Sequence, residues 1–441
     1  MNQLTNTAVL TIDHSTKENH PNWELENCIP GSKYLANRAM IIAALTLEPS
    51  TIANLPDNND IRSLYEALRA LGYQIYWDDD GCIQSEGADK RVKPQTAVTI
   101  DCGASGTMAR FISAVSAMDD FPITITGSER LCERPMGQLF CVLKELGAEV
   151  IEQKLSDCLP VTITGPLTAN ENTVVELPGS ISSQYASAMI LVGSLFPHGI
   201  SIQLLEPVVS AQYIKMTCDL VASTGIQLDY RDNLIKIQPG SYQLQQLNLN
   251  ADPCSASYPL AAAAITGKSI SISPFQYLPQ QQGEFVIVDL LRKMGCKVEC
   301  NHHKIQLSRS QPLQAIVENM SDKPDIVQTL AVVACFAEGT TRFEGISHLR
   351  YKESDRIKDT VDELRKFGVK ASYGEDWLEV TGGAELTAAT IDTHDDHRMA
   401  MALAQLAWKV EGVKMNQPGV VAKSFPGFWK LMEQMGLESG S

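Results

Sequence analysis

Apolar positions along the chain fall into two helical patterns and one strand pattern, recurring in a fixed order. The first helical pattern is apolar on every face and rich in Ala, Ser and Met. It occurs as "SKYLANRAMIIAAL", "SGTMARFISAVSA", "SSQYASAMILVGSL", "CSASYPLAAAAI", "PDIVQTLAVVACFA" and "DHRMAMALAQLAW". A helix without a polar face is predicted to be buried, and small side chains let its neighbours approach closely. The second helical pattern ends on glycine before a strand-like run: "ALRALGYQIYW", "VLKELGAEVIE", "LVASTGIQLDY", "LLRKMGCKVEC", "ELRKFGVKASY" and "LMEQMGLESGS". Its glycines are Gly72, Gly147, Gly225, Gly295, Gly368 and Gly436. Each is predicted to take a left-handed C-cap from which the chain turns into a strand. Short β-like runs such as "ITITGSE", "ISIQLLE", "SISISPF" and "TTRFEGI" lie between the two series. Each repeat therefore reads helix, strand, loop, helix, Gly, hairpin, and 441 residues hold six.

The sixth repeat stops after its glycine, without a hairpin of its own. The N-terminus starts with strand-like "TAVLTIDHS" and "NWELENC", so the N-terminal segment is expected to complete the last repeat. Six repeats make two groups of three. The predicted domains are residues 1–30 plus 252–441, and residues 31–251, with a cleft between them as the natural ligand site. The class is α/β.

A composition 44% apolar and 20% charged is that of a globular chain. No apolar run reaches the roughly 18 residues of a membrane span, and "MNQLTNTAVLTIDHS" lacks the basic and apolar regions of a signal peptide. A cytoplasmic protein with no membrane partner is expected. The 11 cysteines are scattered without a CxxC pair, as suits small thiols in a reducing compartment. A net charge of −16 argues against a broad nucleic-acid surface. An anionic ligand would have to be drawn by a local group of Lys and Arg.

Such groups stand at helix starts and in the loops after strands. The helix starts carry Lys33 and Arg38, Ser105 to Thr107, Ser182 to Gln184, Asp325, and His397 with Arg398. The loops carry Arg130 with Arg134, Ser210 with Tyr213, Lys352 to Arg356, and Lys423. Helix N-termini suit anions, and a cation there is unfavourable unless an anion lies between. Read as one helix, "RYKESDRIKD" sets Lys352 and Arg356 one turn apart, a like-charge pair costing about 0.2–0.5 kcal/mol in an isolated helix. Glu353, Asp355 and Asp359 would neutralise it on a merely solvated face. The "GASGT" run fits either a phosphate loop or a tight turn, and "SISSQ" alone fits a plain N-cap. "HDDHR" offers His394, Asp396 and His397 to a metal, but no partner cluster stands elsewhere and no metal is expected. Cys254 reads as a small buried side chain rather than a nucleophile.

Taken together, "PGSKYLANRA", "GASGTMAR", "SERLCERPMG", "GSISSQY", "SASYPLAAAAI", "KPDIVQTLA", "RYKESDRIKD", "DDHRMAMA" and "AKSFPGF" resemble the EPSP synthases, an enolpyruvyl transferase family. The resemblance covers nearly the whole chain. It implies a two-domain inside-out α/β barrel of six βαβαββ repeats. It also implies transfer of the enolpyruvyl group of phosphoenolpyruvate to the 5-hydroxyl of shikimate 3-phosphate, with no metal or organic cofactor. On the matching positions, Ser182, Ser183, Ser210 and Lys352 would hold the acceptor phosphate. Gln184 and Tyr213 would flank its ring, Tyr34 and Arg38 would meet its carboxylate, and His348 would lie nearby. Arg356 and Arg398 would clamp the phosphoenolpyruvate carboxylate, a geometry that Arg serves better than Lys. Lys33, Gly106, Thr107, Arg130, Gln184, His397 and Lys423 would surround phosphoenolpyruvate and its departing phosphate. Asp325, with Lys33, would take the hydroxyl proton. Glu353 would protonate and later deprotonate the methylene carbon, working between Lys352 and Arg356.

Some positions depart from the family pattern: Tyr34 for Ser, Ala104 for Asn, Phe111 for Pro or Leu, Ala211 for Lys, and His348 for Asn. They collect around the acceptor carboxylate and the floor of the phosphoenolpyruvate pocket, and they leave room for a paralogue acting on another phosphorylated hydroxy acid. A transferase for UDP-N-acetylglucosamine would need a reactive Cys in the loop before Arg-Pro, and Cys132 stands too close to Arg134 and Pro135. Asp325, Glu353 and the cations argue against a non-catalytic anion-binding protein, and the acidic balance argues against an RNA-end-processing relative. A monomer with small-molecule substrates and no nucleic acid is expected.

Overall fold

The computed structural model describes residues 9–14 and 22–440. The start of the "MNQLTNTAVLTIDHS" segment, Ser15, the stretch ahead of "NWELENC" and Ser441 lie outside the described residues. The chain divides into a discontinuous unit, residues 1–30 with 250–441, and an inserted unit, residues 31–249. The division falls slightly before the expected 251/252 boundary because Asn250 is tied to the discontinuous unit. Its side-chain amide donates to Gln281 at 3.0 Å, and the nearby Asp252 N–H donates to the Pro30 carbonyl at 2.9 Å.

Among the described residues each unit has its own apolar core and three four-stranded sheets, with an additional two-stranded pair, Leu313–Gln314 and Ala337–Glu338, in the discontinuous unit. One plan builds every four-stranded sheet. Val98–Asp101 runs parallel to Ile123–Thr126 across the helix Gly106–Ser116, and Val161–Thr164 then pairs antiparallel with Ile123–Thr126 and with Glu149–Glu152. The helices that make these crossovers form the interior. Every residue from Pro253 to Ile265 is buried, as is all of Val327–Ala334 and His397–Leu403. Strands alternate instead, with Val161–Thr164 burying every second residue. Helices therefore lie inside and sheets outside. The three sheets of a unit are not hydrogen-bonded to one another, so the barrel is one of packed layers rather than a closed sheet.

The N-terminal strands serve two repeats, not one. Val9–His14 lies between Val413–Asn416 and Leu437–Gly440 and completes the sixth repeat, which supplies a strand after Gly436. Asn22–Glu26 instead pairs parallel with Ser269–Ser273 and belongs to the fourth. Gln246–Asn248 likewise serves Ser50–Ala53, near the other end of the inserted unit. All six repeat glycines take positive φ, between 85° and 107°. At Gly72 a Cβ would also fall 1.9 Å from the Val92 carbonyl oxygen, so neither the angle nor the space admits a side chain. Among the described residues no helix is long and apolar enough to cross a membrane.

Candidate anion-binding and catalytic sites

In the inserted unit, buried helices bring their N-terminal turns side by side. Ser105 caps Gly106–Ser116 by accepting the Met108 N–H at 3.4 Å, and Ser182 caps Ser183–Gly193 by accepting the Gln184 N–H at 3.2 Å. The Gln184 amide then donates to the Thr107 hydroxyl at 3.0 Å, joining the two ends. Its buried Oε1 has no hydrogen-bond partner. Ser183 is buried beside it. Ser210 precedes Ala211–Ser223 in the left-handed region, φ 55°, and makes no side-chain cap.

Sequence reasoning singled out Gly106 without seeing what lies against it. A Cβ there would sit 2.6 Å from Arg134 Nη1 and 2.7 Å from Arg110 Nη1. Arg110 in turn donates to the carbonyls of Gly106 (3.0 Å) and Pro135 (2.9 Å). Two buried guanidiniums thus reinforce the positive end of this helix. Arg130 stands on the short helix Glu129–Cys132, exposed and paired with Glu133 at 3.2 Å.

Lys33 begins the helix Lys33–Leu45 and donates to buried Asp60 at 3.2 Å. Arg38, one turn further in, lies deep in the unit. It bonds Thr217 Oγ1 (2.7 Å), the Tyr34 carbonyl (2.8 Å), Ser187 Oγ (3.3 Å) and the Tyr213 carbonyl (3.2 Å). Burial pulls its guanidinium down to about 10. The Tyr34 and Tyr213 rings meet with centroids 4.8 Å apart. Arg38 therefore joins three helices, Lys33–Leu45, Ser183–Gly193 and Ala211–Ser223, with the Tyr34 and Tyr213 rings close by.

The discontinuous unit gathers charges of both signs. "RYKESDRIKD" is not one helix: Ser347–Tyr351 is a 3₁₀ turn, Lys352 is extended, and the α-helix begins at Arg356. Asp355 stops it from starting earlier by capping, accepting the Lys358 N–H at 3.1 Å. Lys352 and Arg356 consequently share no helical stripe. Arg356 is buried among three carboxylates. It grips Asp396 through Nε (2.7 Å) and Nη2 (3.1 Å), and also donates to Asp325 (2.9 Å) and Glu353 (2.9 Å). Burial disfavours its charge, but Asp396, Glu353 and Asp325 outweigh that and raise its pKa.

Asp325, in the 3₁₀ turn Pro324–Ile326, also lies 3.2 Å from Arg398 Nε. Arg398 Nη1 bonds the Asp325 carbonyl at 2.9 Å. Glu353 lies between Arg356 and Lys423, whose Nζ is 2.5 Å from its Oε1. Cations and carboxylates alternate from Lys423 through Glu353, Arg356 and Asp325 to Arg398. Asp396, which the sequence offers only as a candidate metal ligand, instead supports a guanidinium. It caps His397–Leu403 by accepting the Arg398 N–H at 2.8 Å, receives the Ser354 hydroxyl at 3.2 Å, and carries Arg356. Its position just before a His-Arg pair at a helix start was the available signal.

His397 is buried beside it, Nδ1 3.6 Å from Asp396. His348 is buried with neither ring nitrogen hydrogen-bonded. Burial, helped by Lys352, pulls it down to about 3, so it is a neutral imidazole. Among the described residues no group of three His, Cys, Asp or Glu side chains is placed to hold a metal ion.

The profile of the EPSP synthase (3-phosphoshikimate 1-carboxyvinyltransferase) family matches residues 24–432. A Shewanella amazonensis protein named 3-phosphoshikimate 1-carboxyvinyltransferase is 36% identical over 406 residues, covering 91% of this chain and 94% of that protein. A Nostoc punctiforme protein of the same name is 36% identical over 412 residues, covering 92% and 95%. A solved EPSP synthase from Acinetobacter baumannii superposes with a TM-score of 0.80 at 22% identity, covering 98% of this chain and all of that one, a likeness of fold.

Proposed function

Because the chain belongs to the EPSP synthase family, we propose that it moves the carboxyvinyl group of phosphoenolpyruvate to the 5-hydroxyl of shikimate 3-phosphate and releases phosphate. One observation carries the proposal: the alternating network Lys423, Glu353, Arg356, Asp325 and Arg398. The reaction must remove a proton from the acceptor hydroxyl and add one to the methylene carbon of phosphoenolpyruvate. Asp325, held by Arg356 and Arg398, is the base, with Lys33 assisting. Glu353 is the acid. Its carboxylate is paired with Arg356 and Lys423. The carboxylate and phosphate of phosphoenolpyruvate compete for those same cations, and losing them favours the protonated form that can donate. The same group then takes the methylene proton back as phosphate departs.

Arg356 and Arg398 receive the phosphoenolpyruvate carboxylate. Lys33, Arg130 and Lys423 receive its phosphate, with Gly106, Thr107, Gln184 and His397 alongside. Ser182, Ser183, Ser210 and Lys352 take the acceptor phosphate, while Tyr34, Gln184, Tyr213 and neutral His348 meet the rest of the acceptor. No metal or organic cofactor enters the proposal. We further infer a cytoplasmic monomer, for which the dispersed cysteines and net charge of −16 are the support.

A second reading keeps the chemistry and changes the acceptor to another phosphorylated hydroxy acid. It is favoured by Tyr34, whose ring packs 4.8 Å from that of Tyr213 where the family carries a small Ser. Phosphate release from phosphoenolpyruvate separates the two. With shikimate 3-phosphate, release is expected. Unphosphorylated shikimate forgoes several charge-assisted bonds worth about 1.5–3 kcal/mol each, so kcat/KM falls on the order of 10³-fold or more. If the wild type releases nothing with shikimate 3-phosphate and Tyr34→Ser does, the second reading replaces the first.

A further inference from the structure

We propose that His394 is a positioning residue for the phosphoenolpyruvate end of the site: with Glu363 it pins the 392–396 loop to the helix Arg356–Lys366 and so keeps Asp396 on Arg356. The proposal rests on the reading of Arg356 given above. Arg356 and Glu363 are two turns apart on one helix, which places them on one face. That face is tied to the loop at both places. At the first turn Arg356 holds Asp396. Two turns on, the buried Glu363 carboxylate meets His394 Nε2 at 2.9 Å and accepts the Asp392 N–H at 3.0 Å. The His394 N–H closes back on Asp392 Oδ1 at 3.0 Å.

The loop needs such ties. His394 and Asp395 both have left-handed backbones, φ 51° and 53°, conformations that persist only when the surroundings hold them. On the other side Thr393 Oγ1 donates to Gln417 Oε1 at 3.2 Å, a neutral contact. Asp396 follows directly, so the placement of its carboxylate depends on the path of 392–395.

The tie is sensitive to pH. The groups facing His394 are Glu363 and Asp359, 3.9 Å from Nδ1, on the helix, and Asp392 on the loop. Lys366 binds Glu363 at 2.7 and 2.8 Å, and Lys358 lies 3.6 Å from Asp359. The Glu363 hydrogen bond raises the imidazole pKa above 6.5, against burial, with Asp359 and Asp392 assisting. Burial pushes Glu363 up, but His394 and Lys366 outweigh it and hold Glu363 below its ordinary range. A raised histidine contributes stability that is complete below its unfolded value and lost as pH rises through its folded one. The loop is therefore held most firmly on the acid side of that window.

His394→Gln and Glu363→Gln test this through two readouts. In hydrogen exchange, the peptide containing 392–398 is expected to exchange several-fold faster in both variants at about pH 6.5, with wild type approaching them at about pH 9. In turnover, KM for phosphoenolpyruvate is expected to rise about three- to tenfold near neutrality with kcat within about twofold, and the gap is expected to close as pH rises. Exchange that is unchanged in both variants, or a KM ratio constant across the pH range, overturns the proposal. If the variants do not fold, wild-type exchange decides: protection that stays flat with rising pH overturns it, and protection lost with rising pH supports it. If wild type has no turnover, the functional reading fails and exchange still judges the tie.

Discussion

Replacing Asp396 by Asn removes the charge beneath Arg356 while keeping an oxygen that can cap the following helix. Both partners are buried, at 0% and 2% exposure, and share two hydrogen bonds of 2.7 and 3.1 Å. Removing one partner of a buried ion pair costs about 3–5 kcal/mol, because the other charge stays behind in low dielectric. Asp325 and Glu353 remain on the same guanidinium, so the lower end, about 3 kcal/mol, is expected. Asp396→Ala also loses the cap on Arg398 N–H, adding about 1 kcal/mol. Equilibrium unfolding in urea resolves both steps: at an m-value of about 2 kcal/mol per molar, Asn lowers the midpoint by about 1.5 M and Ala by about 2 M. Phosphate-release assays on the folded Asn variant are expected to show a raised KM for phosphoenolpyruvate. Both midpoints at the wild-type value, or Ala milder than Asn, would refute a buried charge held by Asp396.

Glu353→Gln and Asp325→Asn are each expected to lower kcat by at least about 10²-fold, the usual worth of a general acid or base; near-normal turnover in both would remove them from the chemistry. His348 is held near 3 by burial, so its neutral form stabilises the fold above the unfolded value of 6.5 and that stability drains away as pH falls towards 3. His348→Asn is expected to flatten the acid side of the stability profile measured by thermal unfolding, and an unchanged slope would contradict the burial.

Much of the architecture is legible in local pattern. The six glycines and the helices without polar faces report on their immediate surroundings, which a sequence displays directly. Asn22–Glu26 is different: its alternation marks a strand, but its partner is chosen by packing far along the chain. The site divides in the same way. Residue types at helix starts pointed to Ser182, Thr107 and Arg398 and a charged loop pointed to Arg356, whereas the burial of Arg38 comes from Thr217, Ser187 and the Tyr213 carbonyl on other helices. Asp396 was hidden because a carboxylate beside histidines suggests a ligand set before it suggests the support for a guanidinium.

The placement of Val9–His14 between Val413–Asn416 and Leu437–Gly440 has a consequence for biosynthesis. The central strand of that sheet leaves the ribosome first, and both neighbours leave it last. The inserted unit holds all its strands within 31–249 and is able to close while translation continues. Val9–His14 must wait for roughly 400 more residues, on the order of 20–80 s at typical elongation rates. Throughout that interval both its edges are unpaired, and Leu10 and Ile12, buried in the finished sheet, are exposed to any strand able to pair with them. The nascent chain is thus open to mispairing, and to capture by a chaperone, through a strand made long before either of its neighbours.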